Sequence, residues 1–331
     1  MTKILETTVV DTEELISFAQ SLVQIQSYSG KEEKVIRAVE TRMRQLGYDE
    51  VSLDSMGNLL GRIGNGPKTI MFDSHLDTVE VNDEHSWDHP PFDGVIAAGC
   101  LHGRGSVDMK SAAAASVYAA AYAKMMGWLE GKTVYVSCTV FEEDCDGENL
   151  KHVFKERNLK PGFVVICEPS NNLITLGHKG KAQISIKTQG ISAHGSAPEK
   201  GHNAIYEMAE IIQRVEHLNN ELMKTEGMHG TVVMSRISSV SASLNAVPSE
   251  CEVYLDRRLV PGETREQVIQ EMDGLVAGKK ATWQVGTLVR NSWTGMQIAY
   301  EPFHLAWKIE LDHALGQAAI SAYDISHKLG F

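Results

Sequence analysis

The sequence predicts an α/β protein: a mainly parallel sheet flanked by helices, with a smaller α+β lobe of ferredoxin-like order inserted into it. Three observations predict this. Strand-like runs and helix-spaced segments alternate through residues 69–167, the pattern of a sheet wrapped by helices. After Gly177–Gly180, which reads as a hinge, the order changes to strand, helix, strand, strand, helix, strand. Finally, 331 residues with 43% hydrophobic content can bury a full core and divide into two domains.

Residues 12–46 carry apolar side chains at helical spacing (Leu15, Phe18, Leu22, then Val35, Ile36, Val39, Met43). The break at Ser27-Tyr28-Ser29-Gly30 makes this two helices joined by a loop. Residues 51–63 alternate weakly about a Gly57-Asn58 turn. A strand over 69–72, an Ala-rich helix over 109–126, a strand over 133–141, a helix over 150–157 and a strand over 163–167 follow. In the inserted lobe, strands are expected at 182–188, 231–240, 252–259 and 282–289, and helices at 204–222 and 264–276. A helical stretch over 303–323 is expected to rejoin the first domain. The chain is therefore divided at 1–180, 181–292 and 293–331, the outer pieces forming one domain.

A formal net charge of -12 argues against a nucleic-acid or anionic-membrane partner, since either needs a basic face toward phosphates; a small molecule is the expected partner. Met1-Thr2-Lys3-Ile4-Leu5-Glu6 lacks an apolar leader core and no apolar stretch is long enough to span a bilayer, so a cytoplasmic protein is expected. Cys100, Cys138, Cys145, Cys167 and Cys251 show no C-x-x-C spacing. They read as reduced thiols, with neither a disulfide framework nor a thiolate zinc site.

Three apolar runs end in metal-capable side chains: residues 70–74 lead into His75-Leu76-Asp77, residues 134–141 into Glu142-Glu143, and residues 163–167 into Glu168-Pro169. Adjacent carboxylates at a buried edge repel unless a cation or a shared proton holds them. Residues two apart on a strand share a face, so His75 can serve as a ligand while Asp77 orients its ring. Glu142 and Glu143, being neighbours, point differently, so one can hold metal while the other acts as general base. Each residue also has an ordinary reading. His75 can be a solvated strand-end histidine, Asp108 an N-cap for the Ala-rich helix, residues 142–146 a solvated acidic loop, and Glu168 a strand terminus. Placement favours the functional reading, because ligands of open α/β sheets bind beyond the carboxyl ends of the strands. As a ligand, Asp108 could bridge two ions about 3.5–4 Å apart. Nitrogen and oxygen donors without thiolate fit zinc, with cobalt or manganese as alternatives.

With Ser74-His75-Leu76-Asp77-Thr78-Val79, Gly103-Arg104-Gly105-Ser106-Val107-Asp108-Met109-Lys110, Glu142-Glu143 and Glu168-Pro169 in this order, the chain resembles the co-catalytic zinc metallopeptidases. That family includes acetylornithine deacetylase, succinyl-diaminopimelate desuccinylase, aminoacylase and carboxypeptidase G2. The resemblance runs from about residue 12 to residue 323, and within the family the chain is most similar to the YgeY-type hydrolases linked to selenium metabolism. It implies two zinc ions per subunit, with His75 and Glu168 on one, Asp108 bridging, Glu143 on the second, Asp77 orienting His75, and Glu142 as general base. It implies hydrolysis of an amide bond in a small N-acyl amino acid or dipeptide-like substrate.

The inserted lobe becomes a lid and dimerisation domain in this resemblance, making the protein a homodimer. Ser192-Ala193-His194-Gly195-Ser196-Ala197-Pro198 looks like the lid motif whose histidine stabilises the tetrahedral oxyanion, often across a dimer, which assigns His194. His202 reads as an ordinary loop histidine. Asn245 matches a position that holds the substrate carbonyl, and Arg258 one that holds its carboxylate with a planar two-toothed fork, although Arg257 and Arg258 can simply alternate faces of a strand. The chain departs from the family at its end. The family's final zinc histidine follows a Gly-Pro-Gly-like loop, whereas this sequence stops at His327-Lys328-Leu329-Gly330-Phe331, with His313 inside the expected helix. A shortened homologue that binds metal or ligand without turnover, with an uncovered sheet edge, is the alternative expectation.

Overall fold

The computed structural model describes residues 11–328, with side chains through Ser326. The readings placed on Met1–Glu6 and on the side chain of His327 lie outside these described residues. By contacts, the chain forms two units: residues through Leu173 with Val289–Tyr300, and Ile174–Leu288 with the chain from Glu301 on.

The first unit begins with α1 (Thr12–Val23) and α2 (Glu33–Gln45). Asp11 caps α1 by accepting from the Glu14 amide, and the helix buries Phe18, Ala19, Leu22 and Val23. In α2 the buried residues are Val35, Ile36, Val39 and Met43, the spacing of one helical face. Next come β1 (Glu50–Leu53), β2 (Leu59–Gly64), β3 (Lys68–His75), the small hairpin β4 (Val95–Ala97) and β5 (Cys100–His102), α3 (Ser111–Met125), β6 (Lys132–Thr139), α4 (Glu142–Cys145), α5 (Glu148–Glu156) and β7 (Phe163–Ile166). The main sheet has the order β1-β2-β6-β3-β7. β6, β3 and β7 run parallel, while β1 and β2 are antiparallel additions, so the sheet is mixed. β7 is an edge strand on which Phe163 and Ile166 are exposed. The run of alanines in α3 buries Ala113, Ala114 and Ala120 and lets the helix lie close to its neighbours, with Tyr118 against Phe18 at 5.9 Å between ring centroids.

The second unit contains β8 (Gly177–His178), β9 (Gly180–Gln189), α6 (Ala204–Leu222), β10 (Thr231–Val240), β11 (Glu250–Leu259), α7 (Arg265–Val276) and β12 (Ala281–Val285). The chain then returns to the first unit as a hairpin of β13 (Leu288–Asn291) and β14 (Gln297–Tyr300). It re-enters the second unit with β15 (Phe303–His304), β16 (Trp307–Lys308) and α8 (Ala314–Lys328). The expected β-α-β-β-α-β order is met by β9 through β12, which form an antiparallel sheet ordered β10-β11-β9-β12. Its core joins Ile184 and Ile186, Met208 and Ile211, and Val253 and Leu255. A capping box between Thr264 and Gln267 starts α7, and Asn203 caps α6.

Three expectations need correction. Residues 303–313 are not helical: β15 pairs with β9, β16 pairs with β8, and the helix begins only at Ala314, just after His313. For the same reason residues 301–328 group with the second unit, and 289–300 alone rejoin the first. The expected strand over 282–289 is two strands, β12 and β13, separated near Gly286. The Gly177–Gly180 segment is built into β8 and β9. A Cβ at Gly177 would lie 2.2 Å from the Trp307 carbonyl oxygen and one at Gly180 would lie 2.3 Å from that of His304, so close backbone approach demands glycine there. No helix among the described residues is long and apolar enough to cross a membrane.

Candidate metal centre

Parallel pairing brings the strand ends together. His75, the last residue of β3, is in register with Thr139 on β6, and Asp73 with Ile166 on β7. The residues that follow these strands, Asp77, Glu142-Glu143 and Glu168, therefore leave from one end of the sheet. His75 and Asp77 are buried, at 1% and 0% exposure. Asp108 arrives by another route, on the turn Ser106–Lys110 before α3, where it has a non-helical φ of -119° and its peptide to Met109 is cis. It does not cap α3, whose N-cap residue is Lys110 without a side-chain cap bond.

Its carboxylate meets the imidazole instead. His75 Nε2 lies 2.8 Å from Asp108 Oδ1 and 3.5 Å from Glu168 Oε1. His75, Asp108 and Glu143 bring donor atoms within 4.8 Å of one another, and so do His75, Glu142 and Glu168. All five residues from four chain segments thus meet about one imidazole. Glu142, expected to be the base, sits among the ligand candidates, so distance alone does not separate their roles.

Asp77 does more than orient a ring. His75 Nδ1 is 3.0 Å from the Asp77 backbone carbonyl, and donating there leaves Nε2 facing the acids. The Asp77 carboxylate lies 3.5 Å from Nδ1 and is engaged mainly elsewhere. Its Oδ1 accepts from the Glu142 amide at 3.0 Å, while Oδ2 accepts from the Glu143 amide at 3.1 Å and the Ser29 hydroxyl at 2.8 Å. One buried carboxylate therefore organises both the histidine and the acidic turn. Glu32 continues the network, its Oε1 accepting from the Phe141 amide at 3.2 Å and the Gly30 amide at 2.8 Å. Ser29 and Glu32 escape sequence reasoning; the one signal is that they flank the Gly30 loop.

In the second unit, His194 and Asn245 share the wall of an open cavity of about 480 Å³ with Ser196, Asn203 and Leu244. The Gly195 amide donates to the Asn245 carbonyl at 2.6 Å, joining the two loops. The Ser196 amide donates to His194 Nδ1 at 3.1 Å, which places the ring proton on Nε2. His202 pairs with Glu207 at 3.2 Å. On β11 the two arginines do alternate faces. Arg257 is fully buried and paired with Glu263 and Glu271, whereas Arg258 faces outward with its Nε 2.7 Å from Asp256 Oδ1.

Residues 176–284 match the peptidase dimerisation domain of the M20 peptidases. The YgeY protein of Escherichia coli K12 is 37% identical over 314 residues, covering 94% of this chain and 78% of its own length. The chain belongs to the M20 family. A succinyl-diaminopimelate desuccinylase of Marinobacter nauticus is 27% identical over 265 residues, 76% of this chain and 70% of its own. Among solved structures, an M20 family metallo-carboxypeptidase from Sulfolobus solfataricus has a TM-score of 0.70 at 17% identity, covering 96% of this chain and 83% of that one, which shows the shared fold. As an M20 member the chain is a metal-dependent hydrolase.

The acids of this M20 centre fit a divalent cation. Burial pushes the Glu142 carboxyl up to about 8 and that of Glu168 up to about 7, with neighbouring acids adding to the rise. Glu143 is raised for the same reasons. Burial disfavours a charged His75, yet the carboxylates of Asp108 and Asp77 outweigh it and push the imidazole up to about 12. Asp108, bonded to that imidazole, is lowered. The cluster thus favours positive charge at the His75 ring. A cation accepting the Nε2 lone pair would supply that charge and let the carboxylates ionise.

Proposed function

We propose that the chain hydrolyses an amide bond in a small N-acyl amino acid or dipeptide-like substrate, as a deacetylase or peptidase would. The convergence of His75, Asp108, Glu142, Glu143 and Glu168 carries this reading. His75 and Glu168 would hold one cation, Glu143 the other, and Asp108 both; the oxygen-rich, thiolate-free set favours zinc, with cobalt or manganese acceptable. Bound there, the cations would supply Lewis acidity toward the scissile carbonyl. Glu142 takes the proton from the attacking water and returns it to the leaving amine. Burial raises the proton affinity of that carboxylate, and a bound cation would return it to the ionised form that can accept the proton.

His194, with its proton on Nε2, is suited to donate to an oxyanion, and Asn245 beside it to hold the substrate carbonyl. Arg258 would take the substrate carboxylate only by sharing its fork with Asp256. These lid residues, together with the assignment of the first unit as catalytic and the second as lid, are part of the same reading. We further propose a homodimer through β10, the edge of its sheet, where Val233, Ile237 and Val240 are exposed. Five free cysteines suit a cytoplasmic location.

The deciding experiment compares the unaltered protein with Glu142→Ala on a panel of N-acetyl amino acids and dipeptides, counting bound metal in both. Turnover should vanish in the variant at unchanged metal content. Near-normal hydrolysis by Glu142→Ala rejects its role, and no bound metal in the unaltered protein rejects the centre.

A further inference from the structure

The acidic turn of the metal centre is held at both ends, and one of its holders comes from a distant part of the chain. The helical turn α4, which carries Glu142 and Glu143, lies between two non-glycine residues in the left-handed region, Phe141 at φ 65° and Asp146 at φ 39°. That region costs a non-glycine residue free energy, least for aspartate, so the groups that hold each end matter. At Phe141 the fixing group is Glu32. At Asp146 it is Tyr300, whose phenol hydroxyl donates to Asp146 Oδ2 and whose side chain is 1% exposed. Tyr300 ends the β13–β14 hairpin, and the same hairpin sets Arg290 Nε 3.3 Å from Asp144 Oδ2. It is itself anchored by Thr294 Oγ1 to the Ser55 carbonyl at 2.8 Å and Trp293 Nε1 to the Gly57 carbonyl at 3.3 Å. Neither Tyr300 nor Asp146 belongs to the groups that converge on His75.

We propose that Tyr300, acting through Asp146, is a positioning residue for the carboxylates of Glu142 and Glu143. By pinning the exit of the turn, it fixes the backbone from which both side chains project and so sets the affinity and symmetry of the cation site. The inference rests on the reading that these acids hold a divalent cation. Groups that hold ligands in place typically change metal affinity 10- to 100-fold when lost.

The test uses cobalt as the probe on the full chain. Tyr300→Phe removes one hydroxyl and keeps the ring, Asp146→Ala removes the acceptor, and Asp146→Asn keeps an oxygen for the phenol. Cobalt affinity and the visible absorption bands are measured by titration, alongside the melting temperature in EDTA. Tyr300→Phe and Asp146→Ala should each weaken cobalt binding about 10- to 100-fold and shift the bands. The double variant should be no worse than either, and Asp146→Asn should recover part of the affinity. A merely structural hydroxyl would lower the metal-free melting temperature and leave the spectrum unchanged. Wild-type affinity and spectrum in Tyr300→Phe overturn this inference alone. Absence of cobalt binding by the unaltered protein overturns the metal reading and this inference with it.

Discussion

Replacing Asp77 with Asn tests the network most sharply, because the substitution preserves shape and reverses one hydrogen-bonding face. The carboxylate accepts from the Glu142 amide on one oxygen and from the Glu143 amide and Ser29 hydroxyl on the other, in a site with 0% exposure. Asparagine can keep its oxygen toward only one side. With it toward Glu142, its NH2 faces the Glu143 amide and the Ser29 hydroxyl. The hydroxyl can rotate and accept, but the Glu143 N–H is left against another donor, at a cost of about 1–3 kcal/mol. Losing Asp77's charge relieves repulsion on Glu142 but also removes part of what favours a charged His75, and these opposed effects leave the net near the middle of that range. For a unit of this size about 2 kcal/mol lowers the melting temperature by roughly 4–8 °C in EDTA. Zinc affinity should fall about 10- to 100-fold, because both the imidazole and the acidic turn lose their common holder. Calorimetric melting with and without zinc, together with competitive chelator titration, reads both numbers. A variant with unchanged melting temperature and zinc affinity would refute the argument that Asp77 organises the turn.

Other outcomes follow from the same geometry. Arg257→Met should destabilise the second unit by about 3–5 kcal/mol because Glu263 and Glu271 lose their buried partner, whereas Arg258→Met should change stability by under about 1 kcal/mol and raise KM; urea unfolding and steady-state kinetics separate the two. Glu32 is fully buried, and that burial pushes its carboxyl up to about 8. The folded protein therefore keeps a proton that the unfolded chain loses above about 4.5. Its contribution is favourable at low pH and declines as pH rises toward 8, so Glu32→Gln should flatten the pH dependence of stability in EDTA across that window. Equal slopes in the two proteins would contradict this. Dialysis against a chelator should abolish hydrolysis and added zinc, cobalt or manganese restore it; activity that survives a verified metal-free state would contradict the assignment.

What can be read from the sequence is local. His75, Glu142 and Glu168 each follow an apolar run, and a run of that kind ending in a metal-capable residue marks a strand end without any knowledge of its neighbours. The β9 to β12 lobe is equally legible, because hydrophobic period and turn residues agree along it. Asp108 is ambiguous for a physical reason: an aspartate before a helix serves as a cap in most settings, and only the three-dimensional position of His75 redirects it. Asp77 shows the limit more clearly. Its spacing from His75 suggests a partner for the ring, but its bonds to the Glu142 and Glu143 amides depend on the register of β3 against β6. Residues 303–313 misread as helix because their apolar content lacks a clear period, and what makes β15 and β16 extended is pairing with strands more than a hundred residues earlier.

The chain passes between the two units three times, near residues 173, 288 and 300, and this governs how the protein can be dissected. A fragment ending at Leu173 would carry every cluster residue yet lack Tyr300 on its acidic loop, and a fragment spanning 174–288 would leave β9 without β15. Neither half is a contiguous gene segment. During synthesis on the ribosome, the acidic turn can gain its hydrogen bond from Tyr300 only after residue 300 has emerged, when the second unit is already largely made.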